Sequence, residues 1–285
     1  MEKRTGKTGL PAPVESISKL IMKMKNEFQS LRFDSTSFLQ EVVPLCLSSV
    51  PDSEYILCSL HRFAASNPIY TSSRQVVLDG IQCIAYQGDI NDYWLASKKH
   101  DTNYQPFYPT WMLSAYALSL GAKLLGFKEV VDIGSGDGRI AYCATILGMN
   151  STGIEIDSSL ADLQRLICAE TGIRYNIVNQ DATQFDYESL KLSRPMFFVS
   201  GLPEHGEMLA ESVLAATACG RIVEAGFNFM GSHVMKSYSK DRTVCGWGRL
   251  IEKFELELDG IVTLPTFWTF DQKVDTAYVY SRYRQ

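Results

Sequence analysis

Residues 130–139 read Val-Val-Asp-Ile-Gly-Ser-Gly-Asp-Gly-Arg, a short apolar run that breaks into glycines at alternate positions. An apolar run bounded by a turn suits a strand buried on both faces, as in a parallel sheet covered by helices. Gly134, Gly136 and Gly138 then permit dihedrals that other residues avoid, and let the backbone lie close to a ligand. A helix opening near Arg139 aims its unpaired N–H groups back over that turn, toward a negatively charged group. Strand, glycine turn and helix in this order constrain the chain to an α/β layer fold with a ligand at the strand ends. A tight turn without a ligand is the plain alternative.

The sequence around the motif fits that fold. Strand-like runs at 129–133, 150–156, 174–178, 196–200 and 220–225 alternate with helical ones, the pattern of βαβ units. Two later runs, 250–258 and 277–283, have no long helix between them and are expected to pair as an antiparallel hairpin. A helix is expected from Trp111 to about Leu125, after Pro106 and Pro109. The boundary is placed near residue 100, giving a helical N-terminal cap over 1–100 and a ligand-binding domain over 101–285. Three helices are expected before Pro68. The first rests on Ile17, Leu20, Ile21, Met24 and Phe28 at three-and-four spacing. The second rests on a capping box of Ser37 and Gln40 shortened by Pro44, and the third on Ile56, Leu57, Leu60, Phe63 and Ala64 after Pro51. Asp79-Gly80 and Gly88-Asp89 mark turns around 81–86, which reads equally as strand or helix.

Composition narrows the setting. A net charge of −5 repels phosphate and there is no dense basic patch, so a nucleic-acid partner is not expected. The seven cysteines stand singly without clustered histidines, which argues against a zinc site and fits reduced thiols in the cytoplasm. The polar start of the chain, residues 1–7, leads into no apolar run of signal-peptide or membrane-spanning length, so no membrane association is expected.

A nicotinamide-dinucleotide site also uses a glycine turn, but its G-x-G-x-x-G spacing would place a glycine where Arg139 stands. The arrangement Asp132-Ile133-Gly134-Ser135-Gly136-Asp137-Gly138 instead resembles the first motif of class I, Rossmann-like S-adenosylmethionine-dependent methyltransferases. That resemblance implies a seven-stranded, mostly parallel sheet ending in an antiparallel hairpin, and S-adenosyl-L-methionine as cofactor. It gives Gly134, Ser135, Gly136 and Gly138 to the methionine part of the cofactor and Asp132 to its amino group. In Gly153-Ile154-Glu155-Ile156-Asp157, Glu155 takes the place of the acidic residue on the ribose hydroxyls, and Asp157 suits a helix cap. Asp181-Ala182 resembles the pair whose carboxylate receives the adenine amino group; a simple turn cap is the other reading of Asp181.

The acceptor side is read from the fourth strand, which ends at Ser200-Gly201-Leu202-Pro203-Glu204-His205. Enzymes of this superfamily that methylate base amines often carry Asn/Asp-Pro-Pro-Tyr there. The departure from it points to an amine on a protein or small molecule as acceptor. Ser200, Glu204, His205 and Tyr108 are the catalytic candidates, with Ser200 also near the cofactor; a surface role is the plain alternative for His205. Pro106-Phe107-Tyr108-Pro109-Thr110 resembles an element of small archaeal and mitochondrial-type protein-lysine methyltransferases, over about 106–157. The rival from another class is a protein that binds the cofactor without catalysis, followed by an NAD(P)-dependent oxidoreductase.

Overall fold

The computed structural model describes residues 9–30, 38–47, 53–89, 107, 109–199, 203–219, 222, 224–230, 246–265 and 275–284. Its centre is a sheet of seven strands. These are β4 (Glu129–Ile133), β5 (Asn150–Glu155), β6 (Asn176–Asn179), β7 (Pro195–Val199), β8 (Gly226–Met230), β9 (Leu256–Leu264) and β10 (Thr276–Tyr283). They lie in the order β6-β5-β4-β7-β8-β10-β9. β4 to β8 are parallel neighbours, whereas β10 runs antiparallel to both β8 and β9. The expected mostly parallel sheet is present, and the last strand inserts between β8 and β9 instead of extending the edge.

The helices are α1 (Ala12–Ser30), α2 (Ser53–Ser66), α3 (Met112–Leu124), α4 (Arg139–Ile146), α5 (Ser158–Thr171), α6 (Pro203–Cys219) and α7 (Gly246–Lys253). One face of the sheet, with Val130, Phe198 and Tyr280, joins a single apolar core with α1 to α5. The other face, with Val131, Phe197, Phe227 and Val279, buries α6 and α7. Strands covered on both faces explain the unbroken apolar run at the head of the glycine motif. No helix among the described residues is long and apolar enough to cross a membrane.

The N-terminal segment is more than helical. β1 (Phe38–Pro44), β2 (Ser72–Leu78) and β3 (Ile81–Asp89) form an antiparallel sheet in the order β1-β3-β2. The helix expected from Ser37 and Gln40 is therefore a strand. Val42 and Val43 favour the extended form, and Pro44, which has no N–H to give, ends an edge strand where that loss is tolerated. The 81–86 run is also a strand. Asp79 and Gly80, with φ of 51° and 72°, make the two-residue turn of the β2–β3 hairpin. Gly88 lies inside β3 and not at a turn, because the Ile69 backbone carbonyl occupies the space a Cβ would need. The boundary near residue 100 lies outside the described residues.

Two strands differ from expectation. Of the run 220–225, the described residues Ile222, Glu224 and Ala225 are not strand: the Ala225 N–H donates to the Ile222 carbonyl, and the strand follows at β8. The start of the 250–258 run is α7, whose Trp247, Leu250 and Ile251 recur at helical spacing on one buried face; the strand begins at Leu256.

Candidate functional site

At the C-terminal end of β4 the chain turns through three glycines in the left-handed region, Gly134 (φ 66°), Gly136 (φ 58°) and Gly138 (φ 79°). The N–H groups of Gly134 and Ser135 both donate to the Ile154 carbonyl of β5, at 2.9 and 3.1 Å. Gln164 of α5 completes the turn. Its Nε2 donates to Ser135 Oγ and to the Gly136 carbonyl, each at 2.8 Å, and its Oε1 accepts from the Tyr175 hydroxyl at 3.2 Å. The three glycines are not equivalent. The space beside Gly134 is open, a Cβ on Gly136 would stand 2.5 Å from the Phe107 ring, and one on Gly138 would overlap the Tyr175 hydroxyl. Phe107 therefore packs on the middle of the turn.

The sequence reading aims the N–H groups at the helix start toward a ligand anion. In the structure one N–H of the turn and one of the first helical turn face carboxyl groups of the chain itself. Glu155, at the end of β5, accepts from the Gly136 N–H at 2.7 Å through Oε2 and from the Asp157 N–H at 3.0 Å through Oε1. Asp132 is buried behind the turn, with the Ala141 N–H of the first turn of α4 facing it. Gly138, at the N-cap of α4, has no side chain to cap with. Burial pushes the Asp132 carboxyl up to about 8, helped by the charges of Glu155 and Asp137 and opposed by the Ala141 N–H. Burial also raises Glu155, against the N–H groups it accepts. The turn is thus lined by acidic groups held close together, and a cationic ligand would relieve their repulsion.

Asp157 caps α5, accepting from the Ser159 N–H at 2.8 Å, as expected. Asp181 does the same locally, its Oδ1 accepting from the Thr183 N–H and hydroxyl, both at 2.8 Å. Both bonds fall on one oxygen, and Ala182 beside it is buried. Asp132 and Glu155 lie on neighbouring strands, since β4 pairs with β5, and Asp181 lies two residues past β6, whose last residue Asn179 is opposite Glu155.

Of the catalytic candidates, Ser200 and Tyr108 lie outside the described residues. Glu204 and His205 fall in the first turn of α6, not in a loop. Sequence reasoning gave no role to Gln164 or to the pair Asp137 and Arg139. Gln164 carried a signal: an amide on the apolar stripe of Leu160, Leu163 and Ile167 must find partners when buried.

No family model matches the chain, and no curated protein matches it in sequence. Solved structures similar to it include a tRNA (uracil-54, C5)-methyltransferase of Pyrococcus abyssi in complex with S-adenosyl-L-homocysteine, at 13% identity and TM-score 0.45. That match covers 61% of this chain and 39% of that one. A TehB-like SAM-dependent methyltransferase from Corynebacterium glutamicum is 16% identical over 68% of this chain and 98% of its own, at TM-score 0.41. A glycopeptide N-methyltransferase complexed with S-adenosylmethionine is 13% identical over 62% of this chain and 96% of its own, at TM-score 0.45.

The two neighbouring carboxylates separate by mutation. Glu155→Gln is expected to weaken S-adenosylhomocysteine binding by about 1 to 3 kcal/mol, the range for a lost charge-assisted hydrogen bond. Asp157→Asn should leave affinity near wild type and change only the melting temperature, because its side chain caps a helix. Calorimetry on both variants checks this; damage at Asp157 with Glu155 silent would reverse the assignment.

Proposed function

We propose that this chain is an S-adenosylmethionine-dependent methyltransferase acting in the cytoplasm on an amine of a protein or small molecule. The observation that carries the cofactor reading is a glycine turn lined by buried carboxyl groups at the ends of adjacent parallel strands. Such a turn favours a ligand with positive charge on its reactive arm and disfavours the pyrophosphate of a nicotinamide dinucleotide.

The residues present fit the group. The open backbone face at Gly134 leaves room for the amino-acid arm, and Asp132, two residues before it at the end of β4, would meet its ammonium. Glu155 accepts from the Gly136 and Asp157 N–H groups, with the Ile156 N–H also facing it, and a carboxylate has about four acceptor sites, which leaves capacity for a ribose hydroxyl. Asp181 would take the adenine amino group through the oxygen not engaged with Thr183. When bound, S-adenosylmethionine supplies a methyl group already activated on a sulfonium. The chain then has to hold that group and the acceptor in line and keep water out. An amine acceptor must arrive without its proton, which an apolar entrance favours by penalising the charged form.

The amine acceptor rests on the sequence: the net charge of −5 and the absence of the base-methylating tetrad at Ser200 to Pro203. The likeness of 106–157 to protein-lysine methyltransferases makes a lysine side chain the first acceptor to try. Thermal shifts with S-adenosylmethionine, S-adenosylhomocysteine, NAD and NADP test the cofactor, since a ligand raises the melting temperature as it exceeds its dissociation constant. Stabilisation by the first pair alone is expected. Incubation with radiolabelled S-adenosylmethionine and fractionated extract tests the acceptor. Label in protein or small amines is expected, label in nucleic acid alone would refute the amine, and binding without transfer would make this a cofactor-binding protein.

A further inference from the structure

A buried polar network ties the N-terminal segment to the back of the glycine turn. Asp137, the residue between Gly136 and Gly138, turns its carboxylate away from the strand ends and accepts from Asn67 Nδ2 at 2.9 Å and from Arg139 Nε at 2.9 Å. Arg139 NH2 also bonds Asp137, and its NH1 reaches Glu41 of β1 at 3.2 Å and the Thr110 carbonyl. Glu41 accepts in addition from the N–H of Met112, the first residue of α3, at 2.8 Å. All four residues, Glu41, Asn67, Asp137 and Arg139, are at most 3% exposed.

One guanidinium faces two carboxyl groups here. Burial raises Glu41 to about 8 despite Arg139. Asn67 is no accident of a loop end. Ser59, Phe63 and Asn67 stand at four-residue spacing along and just past α2, and each meets α4 or its start. The Ser59 carbonyl accepts from the Tyr142 hydroxyl at 2.9 Å, Phe63 packs edge-on to Tyr142 at 4.9 Å, and Asn67 bonds Asp137. The Asn67 Oδ1 accepts the Ile69 N–H at 3.2 Å, which fixes its amide with Nδ2 toward Asp137.

We infer that Asn67 is a positioning residue for the cofactor: through Asp137 it sets the conformation of the glycine turn, making the N-terminal segment part of the cofactor site. The inference rests on the methyltransferase reading. Left-handed glycines on both sides leave the conformation of Asp137 to its bonds, and the Asn67 bond acts from behind together with Arg139, as Glu155 and Gln164 act on the Gly136 backbone from in front.

The experiment measures S-adenosylhomocysteine and 5′-methylthioadenosine affinity by calorimetry well below the melting temperature. The second ligand lacks the amino-acid arm that the turn would hold. Asn67→Ala is expected to weaken S-adenosylhomocysteine about tenfold, the size of one lost bond to a charged group, and methylthioadenosine by much less. Asn67→Asp should weaken it further by setting two carboxylates face to face, and the exchange Asn67→Asp with Asp137→Asn should restore most of the affinity. Unchanged affinity in a folded Asn67→Ala protein, equal loss for both ligands, or no recovery in the exchange would overturn the inference. A wild-type protein that binds neither ligand would instead overturn the methyltransferase reading itself.

Discussion

Gly138→Ala is expected to cost about 2 to 4 kcal/mol of stability and most of the cofactor affinity, from the addition of one methyl group. The backbone at Gly138 sits at φ 79°, where a residue with a Cβ is strained. The new methyl would also overlap the Tyr175 hydroxyl and stand 2.9 Å from Cγ of Gln164. Those two side chains brace the turn, so moving them releases Ser135 Oγ and the Gly136 carbonyl. Thermal unfolding should show a melting temperature lower by about 5 to 10 °C, and calorimetry a binding loss beyond the reach of mass action on the folded fraction. Gly134→Ala is the control for stability. It has a similar φ of 66° but open space around it, so it should carry the backbone strain without loss of the brace. Equal losses of stability at the two positions would mean that Tyr175 and Gln164 do not shape the turn.

The contrast between those glycines shows where the sequence could be read and where it could not. The buried strand and the glycine turn were legible, as were the positions of Asp132, Glu155 and Asp181 at or just past strand ends, because each belongs to a local pattern with a fixed period or position. β1 was misread because the capping box of Ser37 and Gln40 is a local signal, whereas pairing with β3, which fixes Val42 opposite Ala85, is not. The end of α7 was read as strand with the rest of 250–258, although Trp247, Leu250 and Ile251 already stood at helical spacing. In the site, the acids were found but not their partners. Glu41 and Arg139 are 98 positions apart in the chain and Asn67 and Asp137 are 70 apart, and no spacing rule joins residues across such distances.

Asp132→Asn is expected to separate the stability of the protein from its affinity for the cofactor. With its carboxyl pushed from an ordinary value near 3.8 up to about 8, the folded protein holds a proton on Asp132 that the unfolded chain has lost. The folded state binds more protons over that interval, so the contribution to stability is present below about pH 4 and is lost as pH rises through about 8. Asparagine cannot ionise. Above pH 8 the variant should therefore be more stable than wild type, with a flatter decline between about pH 4 and 8; Glu41, also raised to about 8, keeps its share of the slope in both proteins. Binding runs the other way. A ligand ammonium meets the ionised carboxylate best, so the wild type should release protons on binding S-adenosylhomocysteine. Its affinity should climb between about pH 6 and 7.5, where the ligand amine stays charged, by at most about tenfold per pH unit. The variant should bind about tenfold or more weakly, with little change over the same range and correspondingly fewer protons released. Calorimetry in buffers of different ionisation enthalpy counts those protons directly. Wild-type binding without proton release, or a variant that binds as tightly as wild type, would show that Asp132 serves only to cap α4 and that the charge on the ligand's arm is met elsewhere.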